Sequence, residues 1–197
     1  MITRNQALAL IREHVKNENI VKHMLAVEAL MAGVYDELKN RGRTEQELGG
    51  TREEWMMAGL LHDGDYCDEV PMAEQGIKIT QWAREKGYEI PENVAQAMAA
   101  HNWDNTGVEP KTLMDWAIFC GDSLTGLIVA AALVLPSKKI NDLTVESVLK
   151  RFKEPSFARG TRREEIKMCQ EKLDLTLEEF IGIALKSMQI IADDLGL

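Results

Sequence analysis

A chain of 197 residues, 45% of them hydrophobic, is long enough for one domain with a sizeable core and too apolar to stay unfolded. Its formal net charge of −9 argues against non-specific attachment to a nucleic-acid polymer or to an anionic membrane surface. The charge is uneven, however: residues 137–172 carry ten Lys or Arg against six Asp or Glu, a net of +4, which leaves −13 for the remainder. That segment is either a solvated helical face or a surface that meets an anionic ligand.

Helical periodicity runs through the whole chain. Thr3 and Gln6 form a capping box, and Ala7, Leu8, Ile11 and Val15 follow on one face. Residues 19–38 make a second helix, with Ile20, His23, Met24, Val27, Leu30, Met31 and Val34 turned inward. Residues 39–50 are polar and Gly-rich, hence a loop. Thr51 and Glu54 cap a helix that ends at His62, and an acidic loop over 64–71 closes on Pro71. A helix is expected over about 72–86, stopped by Gly87, and another from Pro91 through Ala100.

The next segment, 113–135, contains only two charged residues, Asp115 and Asp122. Its clean apolar run, 126–135, is too short to cross a bilayer, so it reads as a buried core helix, with a possible break near Gly121. A buried Asp122 then needs a partner. Shorter helices are expected over 144–152 and over 162–172, the latter opened by Thr161 and Glu164. A last one runs from Thr176 to about Leu195. No strand pattern, repeat or low-complexity tract occurs, so the class is all-α. The expected organisation is one domain over 1–197, with a helical extension from about 137. The three cysteines are widely spaced with no CxxC, and the first residues lack the apolar stretch of a signal peptide, which suggests reduced thiols in the cytoplasm.

Four histidines are present, and three of them fall at informative places. His14 lies on a polar stretch and reads as surface. His23 shares the apolar face of the second helix, where an imidazole is either a satisfied core group or a ligand. His62-Asp63 ends a helix, and a carboxylate there opposes the helix dipole and wants a positive partner. Asp122 has no Lys or Arg within a helical turn on either side, so it needs a distant Arg or a shared cation. Two imidazoles and two carboxylates form a set suited to one divalent ion of Mn, Fe, Zn, Ni or Mg.

The ordered set His23, His62-Asp63, Asp122 resembles the H…HD…D signature of the HD superfamily of metal-dependent phosphohydrolases. HVKNENIVKHMLAVEALM, GLLHDGDY, AAHN, GDSLTGLIVAAALVLPSKK and RFKEPSFARGTRRE look like a small bacterial branch of predicted HD hydrolases, and the likeness runs from about Ala7 onward. The resemblance implies a helical bundle with a central metal held by His23, His62, Asp63 and Asp122. Related sequences often carry a His at the position of Gln75, and its replacement implies one ion rather than two.

On that footing the expected activity is hydrolysis of a small phosphoester, such as a nucleotide, by a metal-activated water. The alternative is a non-catalytic HD-like module that binds metal and a phosphorylated ligand. Asp65 is a candidate proton shuttle or else a turn residue. His101 is a candidate proton donor or else a helix-end group favoured by the dipole. Asn102, Arg159 and Arg162 are candidate phosphate contacts. Thr125 and Asn19, one turn from Asp122 and His23, are candidates to orient those ligands. The partner implied is a small phosphorylated substrate, with neither a nucleic-acid polymer nor a membrane, and a homodimer is compatible with the Met-rich faces.

Overall fold

A computed structural model describes residues 1–197, and it contains no strand. The helices are α1 (Arg4–His14), α2 (Glu18–Asn40), α3 (Glu45–Leu48), α4 (Arg52–Leu61), α5 (Lys78–Glu85), α6 (Glu92–Ala100) and α7 (Trp103–Thr106). They continue with α8 (Leu113–Leu133), α9 (Val145–Phe152), α10 (Arg163–Lys167), α11 (Cys169–Lys172), α12 (Leu177–Ile190) and α13 (Ala192–Leu195). The architecture is an all-α bundle.

Helix starts follow local chemistry. Thr3, Thr51 and Thr176 each cap a helix in a reciprocal box with Gln6, Glu54 and Glu179. Several expected starts or stops differ: the loop over 39–50 holds the one-turn α3, and the last helix stops at Ile190 before α13. The helix expected over 72–86 is a single 3-10 turn at Met72–Glu74 followed by α5, because Gly76 takes a left-handed backbone (φ +84°) that interrupts it. The helix expected over 162–172 is two short pieces, α10 and α11. Thr161 does not cap it: Arg162 stands at the cap position, and its side chain goes elsewhere. The core helix has no break at Gly121, where a Cβ would collide with Leu30 at 2.6 Å. That glycine serves close packing of α8 on α2.

α2 is the hub, packing on α4, α12 and α8, while α8 also receives α6, α9, α10 and α11. The α2–α4 approach is tightest at Gly59, where a Cβ would lie 2.9 Å from the Val27 carbonyl oxygen and the Glu28 nitrogen. This contact sets the distance between His23 and the end of α4. One continuous core of 51 buried residues runs from Ile2 to Leu195, so the segment after 137 shares the core of the first part. Trp55, Phe180 and Leu30 are among its fully buried side chains, each stabilising the fold by roughly 2 kcal/mol. α8 is the one helix long and apolar enough to cross a bilayer by length and composition, and most of it is buried in this core.

Candidate metal centre

Two helices end at the same point. α4 delivers His62 and Asp63, and α6 delivers His101. At a helix C-terminus the last carbonyls have no intrahelical donor. Here each terminal imidazole turns back to satisfy one: His62 Nδ1 donates to the Gly59 carbonyl at 2.8 Å, and His101 Nδ1 donates to the Met98 carbonyl. A carbonyl can only accept, so Nδ1 carries the hydrogen in both rings and Nε2 presents its lone pair.

His23 reaches the same state by another route. The Thr125 hydroxyl donates to the Asp122 carbonyl at 2.9 Å, so at its 3.1 Å contact with His23 Nδ1 it accepts. The hydrogen is again on Nδ1 and the lone pair on Nε2. Three Nε2 atoms therefore face one region, and His23 Nε2 lies only 3.1 Å from His62 Nε2. Two lone pairs at that distance need a proton or a cation between them. Burial works against charge on His23 and His101, but Asp122 and Asp63 outweigh it and raise both values, so without a cation these two rings favour a second proton at Nε2.

The carboxylates complete the set. Asp122 Oδ1 is 2.9 Å from His23 Nε2 and 3.9 Å from His62 Nε2. Asp63 Oδ2 is 3.6 Å from both rings, while its Oδ1 faces His101 Nε2 at 3.4 Å. Donors bound at about 2.1 Å to one ion stand roughly 3 to 3.5 Å apart. The distances from His23 and His62 to each other and to the two carboxylates, 2.9 to 3.9 Å, bracket that value, and donor atoms of His23, His62 and Asp63 all lie within 4.8 Å of one another, a group that does not take in Asp122. The negative ends of α4 and α6 also point at this region and favour a positive charge.

The same neighbourhood sets the titration. Burial drives the His62 pKa down to about 4, with the Asp63 charge opposing. Burial also works to raise the Asp63 and Asp122 values, but the surrounding imidazoles outweigh it and hold both carboxyls below the ordinary range. At neutral pH the donors are thus anionic oxygens and a neutral His62, the forms that bind a divalent ion.

The other expected site residues divide sharply. Asp65 is fully buried, and its carboxylate accepts from the Gly76 amide at 2.9 and 3.0 Å and from the Ile79 amide at 2.9 Å. Its oxygens anchor the start of α5, the arrangement of the turn-residue alternative. Asn102 donates to the Met72 carbonyl at 3.0 Å and accepts from Asn105, so both ends of its amide are engaged in joining loops rather than facing a ligand. Asn19 does not orient His23. That role falls to Thr125, while Asn19 is exposed on a neighbouring wall. His14 is half-buried and stacked on Trp82 at 3.7 Å rather than on open surface. Gln75 lines a separate acidic cavity of about 650 Å³ with Glu13, Asp68 and Glu69.

Arg162 supplies the distant partner for Asp122. Its Nη2 donates to Asp122 Oδ2 at 2.9 Å, leaving Oδ1 to the imidazoles. Arg159 and Thr161 stand beside it on the wall of an open cavity of about 340 Å³ whose base is His23 and Asp122. Glu165 went unseen in the sequence. Its Oε2 is buried 3.0 Å from Arg162 Nε without a well-directed hydrogen bond, and burial lifts the carboxyl to about 7. Its only sequence signal is a position three residues after Arg162, on the same face of a first helical turn. Family models, curated proteins and solved structures contain no match to this chain.

Proposed function

We propose that this protein is a metal-dependent phosphohydrolase of the HD kind, with His23, His62, Asp63 and Asp122 holding one divalent ion. The observation that carries the reading is the convergence of imidazole nitrogens whose opposite nitrogens are all occupied by acceptors. Core histidines satisfied for stability alone have no reason to bring two Nε2 atoms to 3.1 Å of each other between two carboxylates. A divalent ion held by these residues would supply an acidified water and charge to offset a phosphoryl oxygen.

The chain's own groups have definable tasks in that chemistry. Thr125 fixes the His23 tautomer, and Arg162 fixes Asp122 so that one oxygen stays directed at the cluster. Arg159 and the Thr161 hydroxyl line the cavity mouth, where a phosphate monoester would meet positive charge on an otherwise acidic protein. His101 Nε2, 3.4 Å from Asp63 Oδ1, is the atom at which the chain can hold a proton for the departing alcohol. Three free cysteines fit a reducing, cytoplasmic setting.

The test is elemental analysis of protein purified without chelator, beside His62→Ala and Asp122→Ala, followed by a phosphoester screen with the ion found. About one ion per chain, lost in both variants together with hydrolysis, is the expected result. A wild-type chain that takes up none of Mn, Fe, Zn, Ni or Mg would sink the proposal.

A further inference from the structure

A stripe on α8 begins at the cluster and leads away from it. Asp122, Gly126, Val129 and Leu133 are spaced four, three and four residues apart, so they share one face. At 1.5 Å per residue the stripe is about 16 Å long. α2 lies antiparallel beside it: Leu30 meets Gly121, His23 meets Asp122, and Asn19 lies farther along toward Leu133. Leu195 and Leu197 close the far side, giving a trough of about 430 Å³.

This trough and the 340 Å³ cavity over Asp122 have His23 and Gly126 in common. They adjoin at these two residues, with the imidazole in the wall of both. The floor at the junction is bare backbone, since a Cβ on Gly126 would meet nothing within 4 Å. The two halves differ in chemistry. One presents Arg159, Thr161 and Ser123; the other presents Val129, Leu133 and Leu195.

Leu133 is 50% exposed at the trough's rim. A single exposed leucine is unremarkable on a protein surface, so its continuity with the charged half is what matters.

We propose that the trough is the subsite for the alcohol portion of the substrate, and that the substrate class is phosphate monoesters of extended, apolar alcohols. The inference rests on the phosphohydrolase reading of the adjoining cluster. A nucleoside or sugar would set hydroxyls and ring nitrogens along aliphatic walls, where they lose water without gaining partners. The polar side chains offered are at one edge, Asn19 and Lys22, and the Lys22 ammonium stands beside Gly196. An apolar chain leaves water at no such cost, and its phosphate end falls naturally on the Arg159 side.

Non-hydrolysable n-alkyl phosphonates, from butyl to octyl, test this by calorimetric titration into protein supplied with Mn²⁺ and into metal-free protein. Inorganic phosphate and adenosine monophosphate serve as reference ligands. The affinity relative to inorganic phosphate should rise about two- to fourfold per added methylene. Gly126→Leu, which fills the junction, and Leu133→Asp, which charges the exposed rim, should each flatten the series. A flat series in the wild type, an unchanged slope in both variants, or tighter binding of adenosine monophosphate than of octyl phosphonate would overturn the proposal. So would reversible self-association abolished by Leu133→Asp, which would make a second copy the occupant. The two readings fail separately. A length-dependent series in a wild-type chain that takes up no metal keeps the trough and removes the phosphohydrolase. Metal-dependent phosphate binding with a flat series does the reverse.

Discussion

Asp63 and Asp65 stand two residues apart in GLLHDGDY, both well shielded from solvent, and they have opposite fates. Asp65 faces backbone: three short contacts from two amides absorb its charge and anchor the chain as it enters α5. Asp63 faces side chains that offer lone pairs, with His62 and His23 on one oxygen and His101 on the other. A buried carboxylate surrounded by N–H donors is satisfied and chemically spent. One surrounded by imidazoles instead of amides is complete only with a proton on those rings or a cation. Burial alone therefore does not mark a functional acid; the identity of its neighbours does.

The largest effects should come from exchanging these two fates. Asp63→Asn should abolish stoichiometric metal and cut hydrolysis by more than about a hundredfold, while metal-free protein keeps its thermal midpoint. Asp65→Ala should retain the metal but lose roughly 2 to 4 kcal/mol of unfolding free energy, because the Gly76 and Ile79 amides are left buried without an acceptor. Denaturant titration and elemental analysis of the same samples decide it. Metal loss in Asp65→Ala at full stability would erase the distinction.

Thr125→Val sharpens the comparison at His23. The valine matches the shape of threonine but cannot accept from Nδ1, so the ring is free to change tautomer. Metal affinity should fall tenfold to a hundredfold, read by competition with a chromophoric chelator. A shift below twofold would mean that packing, not the hydroxyl, sets the ring.

Glu165 offers a third kind of buried carboxyl, held by neither amides nor imidazoles. Burial raises its pKa from 4.5 to about 7, with Arg162 opposing. Between those values the folded chain holds a proton that the unfolded chain has released, so the contribution of this group to stability falls as pH rises from about 4.5 through 7. Glu165→Gln should remove that slope. It should leave stability unchanged near pH 4 and raise it at pH 8, by about 1 to 2 kcal/mol once solvent screening of this half-buried group is allowed for. A slope equal to that of wild type would show that the carboxyl is solvated and paired after all.

The sequence by itself determined what is local. Threonines followed three residues later by Gln or Glu started helices at Thr3, Thr51 and Thr176, and the 3.6-residue period made the class all-α. It also set His23 and Asp122 on two helices and His62-Asp63 at the end of a third. Only the tertiary structure decided how each polar group is satisfied. The acceptor for His23 is Thr125, 102 residues away; the cation for Asp122 is Arg162, 40 residues away; the donors that consume Asp65 lie 11 and 14 residues on. Caps and periodicity act within about one helical turn and leave a trace in the chain. A lone pair is free or spent according to what packs against it, and that is settled by helices meeting across the core.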